Sequence, residues 1–172
     1  MTASDNLPPV AKTGAKGRGG SPRAAARIAA VQALYQIDMS GLPADQVIAE
    51  FREHRLGSDT DAELFSAITA AASVRRAEID ELIRAALEGW TLERLDSVMR
   101  AVLRAGVCEL LDFADVPTRV VIDQYLEVAH AFLGAKESGL VNGVLDRLAR
   151  RLRPDDVKAF PAHGAPESKK TR

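Results

Sequence analysis

The chain has 172 residues, a length that suits one domain, with 47% hydrophobic and 27% charged side chains and a net charge of −1. Only eight residues are aromatic, so a core must come from Leu, Val, Ile and Ala, which suits helix packing better than a β-sandwich. A single cysteine excludes an internal disulfide and any cysteine-rich metal site. The apolar runs are far shorter than the ~20 residues a bilayer requires, and no export signal is visible, so the expected location is the cytoplasm.

The charge is unevenly placed. Residues 1–27 carry Lys12, Lys16, Arg18, Arg23 and Arg27 against Asp5 alone, whereas Asp38 to Glu63 is mostly acidic. A cationic arm on a mildly acidic body suits contact with a phosphate backbone, and equally a solvated tail without a target.

Residues 1–20 are rich in Gly, Pro, Lys, Thr and Ser without periodicity, and are expected to be a disordered basic arm. Ser21-Pro22 reads as an N-cap and first helical residue, and Gly41 and Pro43 as stops, giving a first helix to about Ser40. Its core face would be Ile28, Val31, Leu34, Tyr35 and Met39. Ala25, Ala29 and Ala33 with Gln32 and Gln36 would form a smooth uncharged surface, either propensity filler or a place of close approach for a partner or an RNA backbone. A second helix spans about Ala44 to His54. A third begins after the caps Ser58, Asp59 and Asp61 and continues to Leu87 with a bend near Ser73.

The stretch Leu95 to Phe113 has apolar residues at nearly every third and fourth position, with Ala101, Ala105 and Cys108 widening the face. This helix should lie centrally, showing water only the strip of Asp96, Arg100 and Arg104, with Thr91 as its cap. Pro117 opens the next helix, which Gly134 breaks. The segment GAKES then leads as a turn into a last helix with Leu140, Val141, Val144, Leu145, Leu148 and Leu152 inward and an arginine-rich end before Pro154. The expected fold is all-α, a bundle of about seven helices over residues 21–153, followed by a flexible tail at 154–172.

No catalytic constellation is visible. Cys108 lies among apolar residues, His54, His130 and His163 are scattered without a second ligand at helical spacing, and GRGG at Gly17 to Gly20 is no phosphate loop. Neither a metal nor a cofactor is expected.

Four blocks say more than periodicity. They are AVQALY at Ala30 to Tyr35 behind an arginine-containing start, AVLR at Ala101 to Arg104, DVP at Asp115 to Pro117, and VNGVLD at Val141 to Asp146. In this order and spacing the chain resembles the NusB family of bacterial transcription antitermination factors. The resemblance covers roughly Arg23 to Arg153 and implies two packed helical subdomains without enzymatic activity. It further implies binding of the boxA element of ribosomal RNA leader transcripts with the ribosomal protein NusE, in a complex with RNA polymerase and the other Nus factors.

Carried over by position, the RNA-binding residues would be Arg23 and Arg27, with Lys16, Arg18 and Gln32 beside them. The turn before the last helix would add Lys136, Glu137 and Leu140, on the same surface. Many relatives have more arginines where this chain has Ala24, Ala25 and Ala26, and an aromatic at Leu140. The resemblance therefore implies weaker RNA contact alone and greater dependence on the partner. Two other readings fit a helical body: an adaptor without RNA contact, and an accessory module of a ribosomal RNA methyltransferase. Exposed apolar surface could serve the ribosomal partner or a second copy of the chain.

Overall fold

The computed structural model describes residues 20–159. Its elements are α1 (Pro22–Ser40), α2 (Ala44–His54), α3 (Ala62–Val74), α4 (Arg76–Ala86), a 3₁₀ turn (Leu92–Arg94), α5 (Ser97–Asp112), α6 (Thr118–Phe132), α7 (Ala135–Leu152) and α8 (Pro154–Ala159). The expected basic arm, apart from Gly20, and the tail beyond Ala159 lie outside the described residues.

Local chemistry sets the helix ends. Ser21 Oγ accepts the Ala24 N–H at 3.1 Å with Pro22 in the first turn, and α1 closes on Gly41 in the left-handed region (φ 70°), whose N–H reaches Ile37 O at 3.0 Å. Asp61 accepts the Leu64 N–H to start α3, and Asp96 accepts the Val98 N–H to start α5. The cap of the central helix is thus Asp96, not Thr91. The intervening residues form the 3₁₀ turn instead, because Leu92 and Leu95 are both buried and the chain must bend to insert them. The bend expected near Ser73 is a full break at Arg75, which has a non-helical backbone (φ −93°, ψ 14°) between α3 and α4.

α1, α2 and α3 pack as one group, and α5, α6 and α7 as a second, with α4 against α5 and α7. α1 and α3 join the groups by packing on α5. The core is continuous across both. At the crossing of α5 with α6 and α7, Gly106 permits contact: a Cβ there would lie 3.0 Å from Leu145 Cδ2 and 3.4 Å from Tyr125 Cδ2.

Three inside-outside assignments differ from the sequence expectation. In α1 the alanines are core: Ala26, Ala30 and Ala33 are fully buried and Ala29 nearly so, while Met39 is 59% exposed. Their small size lets α3 and α5 approach, so Ala29 and Ala33 of the expected smooth surface face inward, while Ala25, Gln32 and Gln36 are half-buried. In α5 the expected watery strip is largely closed, since Arg104 is buried and bonded to Asp80 at 2.8 and 3.1 Å and paired with Asp38 at 3.4 Å. Arg100 joins the same cluster through Asp38 at 3.1 Å, and Arg76 also bonds Asp38 at 2.6 Å. Burial raises the Asp38 carboxyl, but the Arg100 hydrogen bond and the charges of Arg104 and Arg76 outweigh it and hold the group below its ordinary value.

The chain also stays helical past Pro154. In α8, Asp156 accepts from the Thr118 N–H at 2.8 Å and the Thr118 hydroxyl at 2.6 Å, supplying the side-chain cap that Pro117 cannot give α6. Arg153 does not serve its own helix dipole. Its guanidinium donates to the carbonyls of Glu109, Leu110, Phe113 and Val116 at 2.6–2.9 Å, satisfying the C-terminal end of α5 and the loop after it.

Candidate nucleic-acid interface

The expected RNA-binding residues separate into three groups. Lys16 and Arg18 lie outside the described residues. Arg23 is exposed on the first turn of α1 and Gln32 is half-buried two turns further on. Lys136 is exposed, Glu137 half-buried and Leu140 half-buried against the core at the start of α7.

Arg27 requires a correction. It is 3% exposed and its guanidinium is held by the fully buried Glu109 in a two-point pair, Nε to Oε2 at 2.7 Å and Nη2 to Oε1 at 2.9 Å, with Gln124 Oε1 at 3.4 Å. Burial alone would lower its pKa, but the bonds and charge of Glu109 prevail and raise it. Arg27 is consequently a fixed cation inside the bundle that joins α1, α5 and α6, and it offers nothing to a phosphate. The spacing of four from Arg23 does not put both groups on an open face, because the helix turns Arg27 toward α5.

The GAKES segment is likewise not a turn. Gly134 is the N-cap of α7 and Lys136 and Glu137 belong to its first turn. A Cβ at Gly134 would lie 2.6 Å from Glu137 Oε2, so this carboxylate folds over the start of its own helix, where the dipole favours a negative charge. Lys136 projects instead toward the loop before the 3₁₀ turn, where its Nζ lies 5.9 Å from the centre of the Trp90 ring.

The two exposed groups do not form one contiguous patch. α1 packs on α2, α3, α5 and α6, and α7 on α4, α5, α6 and α8. Arg27, one turn after Arg23, meets α5 at Glu109, twelve residues or about 18 Å along the axis from Ser97. Lys136 meets Trp90, which precedes the other end of α5. A ligand touching both would have to run along the bundle.

Trp90, next to Lys136, and Arg94, which lines the same concavity as Trp90, are not flagged by the pattern of apolar positions, since both lie in a non-periodic connection. The available signal was the chain's sole tryptophan beside a glycine. Gly89 has φ 72°, and Trp90 is 48% exposed.

Cys108, the sole cysteine, is withdrawn from solvent. Burial pushes the Cys108 thiol up to about 12, and its Sγ lies 3.8 Å from Ile68 O. Among the described residues no group of three or more His, Cys, Asp or Glu side chains is placed to hold a metal ion, and no helix is long and apolar enough to cross a membrane.

The NusB family model matches residues 24–150. The chain belongs to the NusB family. It is 46% identical to the transcription antitermination protein NusB of Allorhizobium ampelinum over 167 residues, covering 92% of this chain and 100% of the relative. It is 46% identical to that of Caulobacter vibrioides over 141 residues, covering 77% and 95%. Among solved structures it resembles T. maritima NusB with a TM-score of 0.71 and 30% identity, covering 81% of this chain and 99% of that one. A NusB solved with NusE and double-stranded RNA superimposes with a TM-score of 0.66 at 28% identity, covering 76% and 97%. The all-helical NusB fold expected from the four sequence blocks is therefore present.

Proposed function

We propose that this chain is an RNA-binding transcription antitermination factor. In this reading it binds a boxA-type element of ribosomal RNA leader transcripts together with NusE, and joins RNA polymerase and other Nus factors to suppress premature termination. The observation that carries the reading is the match of the whole helical body to NusB proteins, one of which is solved with NusE and RNA. It is a binding role without a catalytic step, exercised in the cytoplasm where transcripts are made.

Arg23 and Lys136 are its exposed cations for RNA phosphates, Gln32 is a neighbour that can meet the backbone or a base edge, and Lys16 and Arg18, which precede Arg23 in the sequence, add positive charge. Leu140 and Glu137 support the Lys136 end by packing and by holding the start of α7. Arg27 acts from inside, fixing the angle at which α1 presents Arg23. With one arginine at the helix start, RNA affinity depends strongly on NusE.

The test is a titration of labelled boxA-type RNA with the full chain, with and without NusE, over a range of salt. Tighter binding in the presence of NusE is expected. Arg23→Ala should lower the slope of log affinity against log salt by about 0.7, the value for one phosphate contact on a single strand. Absence of RNA binding under both conditions refutes the reading; capture of NusE without RNA would make the chain a protein adaptor.

A further inference from the structure

We infer that Trp90, with Lys136 and Arg94, forms a platform on which one unpaired nucleobase of the RNA stacks. This inference rests on the RNA-binding reading above and assigns the aromatic contact that Leu140 does not supply.

Among the described residues four large apolar side chains stand exposed: Met39, Val74, Trp90 and Val120. Single exposed apolar groups are ordinary on a surface. Trp90 differs from the other three in its surroundings. Lys136 Nζ stands over its ring at 5.9 Å, and Gly89, Trp90, Thr91 and Arg94 line a shallow concavity of about 460 Å³. The nearby carboxylates are already engaged: Glu88 pairs with Arg147 at 2.9 Å, and Glu93 with Arg84 at 2.7 Å. Glu137 lies over the start of α7. Lys136 and Arg94 have no carboxylate partner among the described residues, so the Lys136 ammonium over the ring and the Arg94 guanidinium along the same concavity leave their positive charge unneutralised.

That combination fits a nucleotide. Indole offers a flat face on which any base can stack, and cations beside it meet the flanking phosphates. A protein partner would more naturally bring carboxylates to the two cations, or bury the ring in an apolar pocket. The charge left over suits an anion and the flat ring suits a base, and every nucleotide of an RNA supplies the two together. The local backbone favours a rigid platform, since Leu92 and Leu95 anchor the 3₁₀ turn in the core just after Trp90.

Because Trp90 is the sole tryptophan, its emission reports this position directly. Titrating the full chain with boxA-type RNA in the presence of saturating NusE should quench that emission with the same midpoint as binding measured through the labelled RNA. Oligonucleotides carrying one abasic position at a time should lose the quench at a single position. Trp90→Ala should weaken binding by about 5- to 150-fold, the range for one stacked base, while Trp90→Phe retains most of the affinity. Lys136→Ala should lower the salt slope.

RNA that binds with no change in tryptophan emission overturns the inference and leaves the RNA-binding reading intact. So does Trp90→Ala with affinity within twofold of the parent. An emission change produced equally by NusE alone assigns the platform to the protein partner and also overturns it. Failure of the parent chain to bind RNA at all removes both readings together. The emission measurement is made on the parent chain, so a folding defect in a variant does not obscure the outcome.

Discussion

Replacing Glu109 tests the placement of Arg27 most sharply. Glu109 is fully buried and supplies both oxygens that hold the Arg27 guanidinium, leaving Gln124 Oε1 at 3.4 Å as the remaining acceptor once it is gone. Removing one partner of such a pair strands a buried charge and costs about 3–5 kcal/mol. A domain of this size has about 5–15 kcal/mol of stability in all. Glu109→Leu should therefore lower the urea midpoint by about 1.5–2.5 M, taking a slope of about 2 kcal/mol per M.

Arg27→Met should be of similar severity, because it leaves the Glu109 carboxylate unpaired. The double variant Arg27→Met with Glu109→Leu should recover much of the loss, since two apolar side chains of similar volume can replace the pair. Urea unfolding followed by circular dichroism gives all four midpoints. An Arg27→Met chain with the parent midpoint but much weaker RNA binding would refute the structural role and restore Arg27 as an RNA ligand.

Arg153→Ala removes four hydrogen bonds, to the carbonyls of Glu109, Leu110, Phe113 and Val116, and should cost about 1–3 kcal/mol, read as a lower thermal midpoint with unchanged helix content at 20 °C. Cys108, buried with its thiol pushed up to about 12, should resist a thiol-specific reagent at pH 8 in the folded chain and react at once in strong denaturant; rapid labelling of folded chain would contradict its placement. The Asp38 carboxyl is held below its ordinary value, so its contribution is present above the unfolded pKa and is lost as pH falls through the lower folded one. Stability should fall below about pH 4, and Asp38→Asn should be less stable at pH 7 and flatten that acid limb. A parent and variant with parallel pH profiles would exclude Asp38 as a contributor.

Much of the helical order was legible because its signals are local. A capping oxygen lies within three residues of the N–H it satisfies at Ser21 and Asp61, and a left-handed stop needs one glycine at Gly41. The period of three and four placed α2 at Ala44–His54 and made Leu95 to Phe113 the centre of the bundle. The four blocks in their order and spacing also point to the family. Arg23 was legible as an exposed cation where the arm joins the first helix, whereas Lys136 was reached through the family resemblance and placed in a turn, and the fold puts it in the first turn of α7.

Which polar groups are inside was decided only by the assembled bundle. Arg27 and Arg23 are alike in sequence, both cations on one helix, yet Arg27 meets a carboxylate 82 residues away and is withdrawn from solvent. Arg104 finds Asp80 and Asp38 on two other helices, and the α1 alanines are buried because α3 and α5 come close enough to need small side chains. Trp90 gains its cation from α7. Helix periodicity records a residue's angle about its own axis. Ion pairing and close packing depend on what stands opposite, and that neighbour is chosen by the tertiary fold.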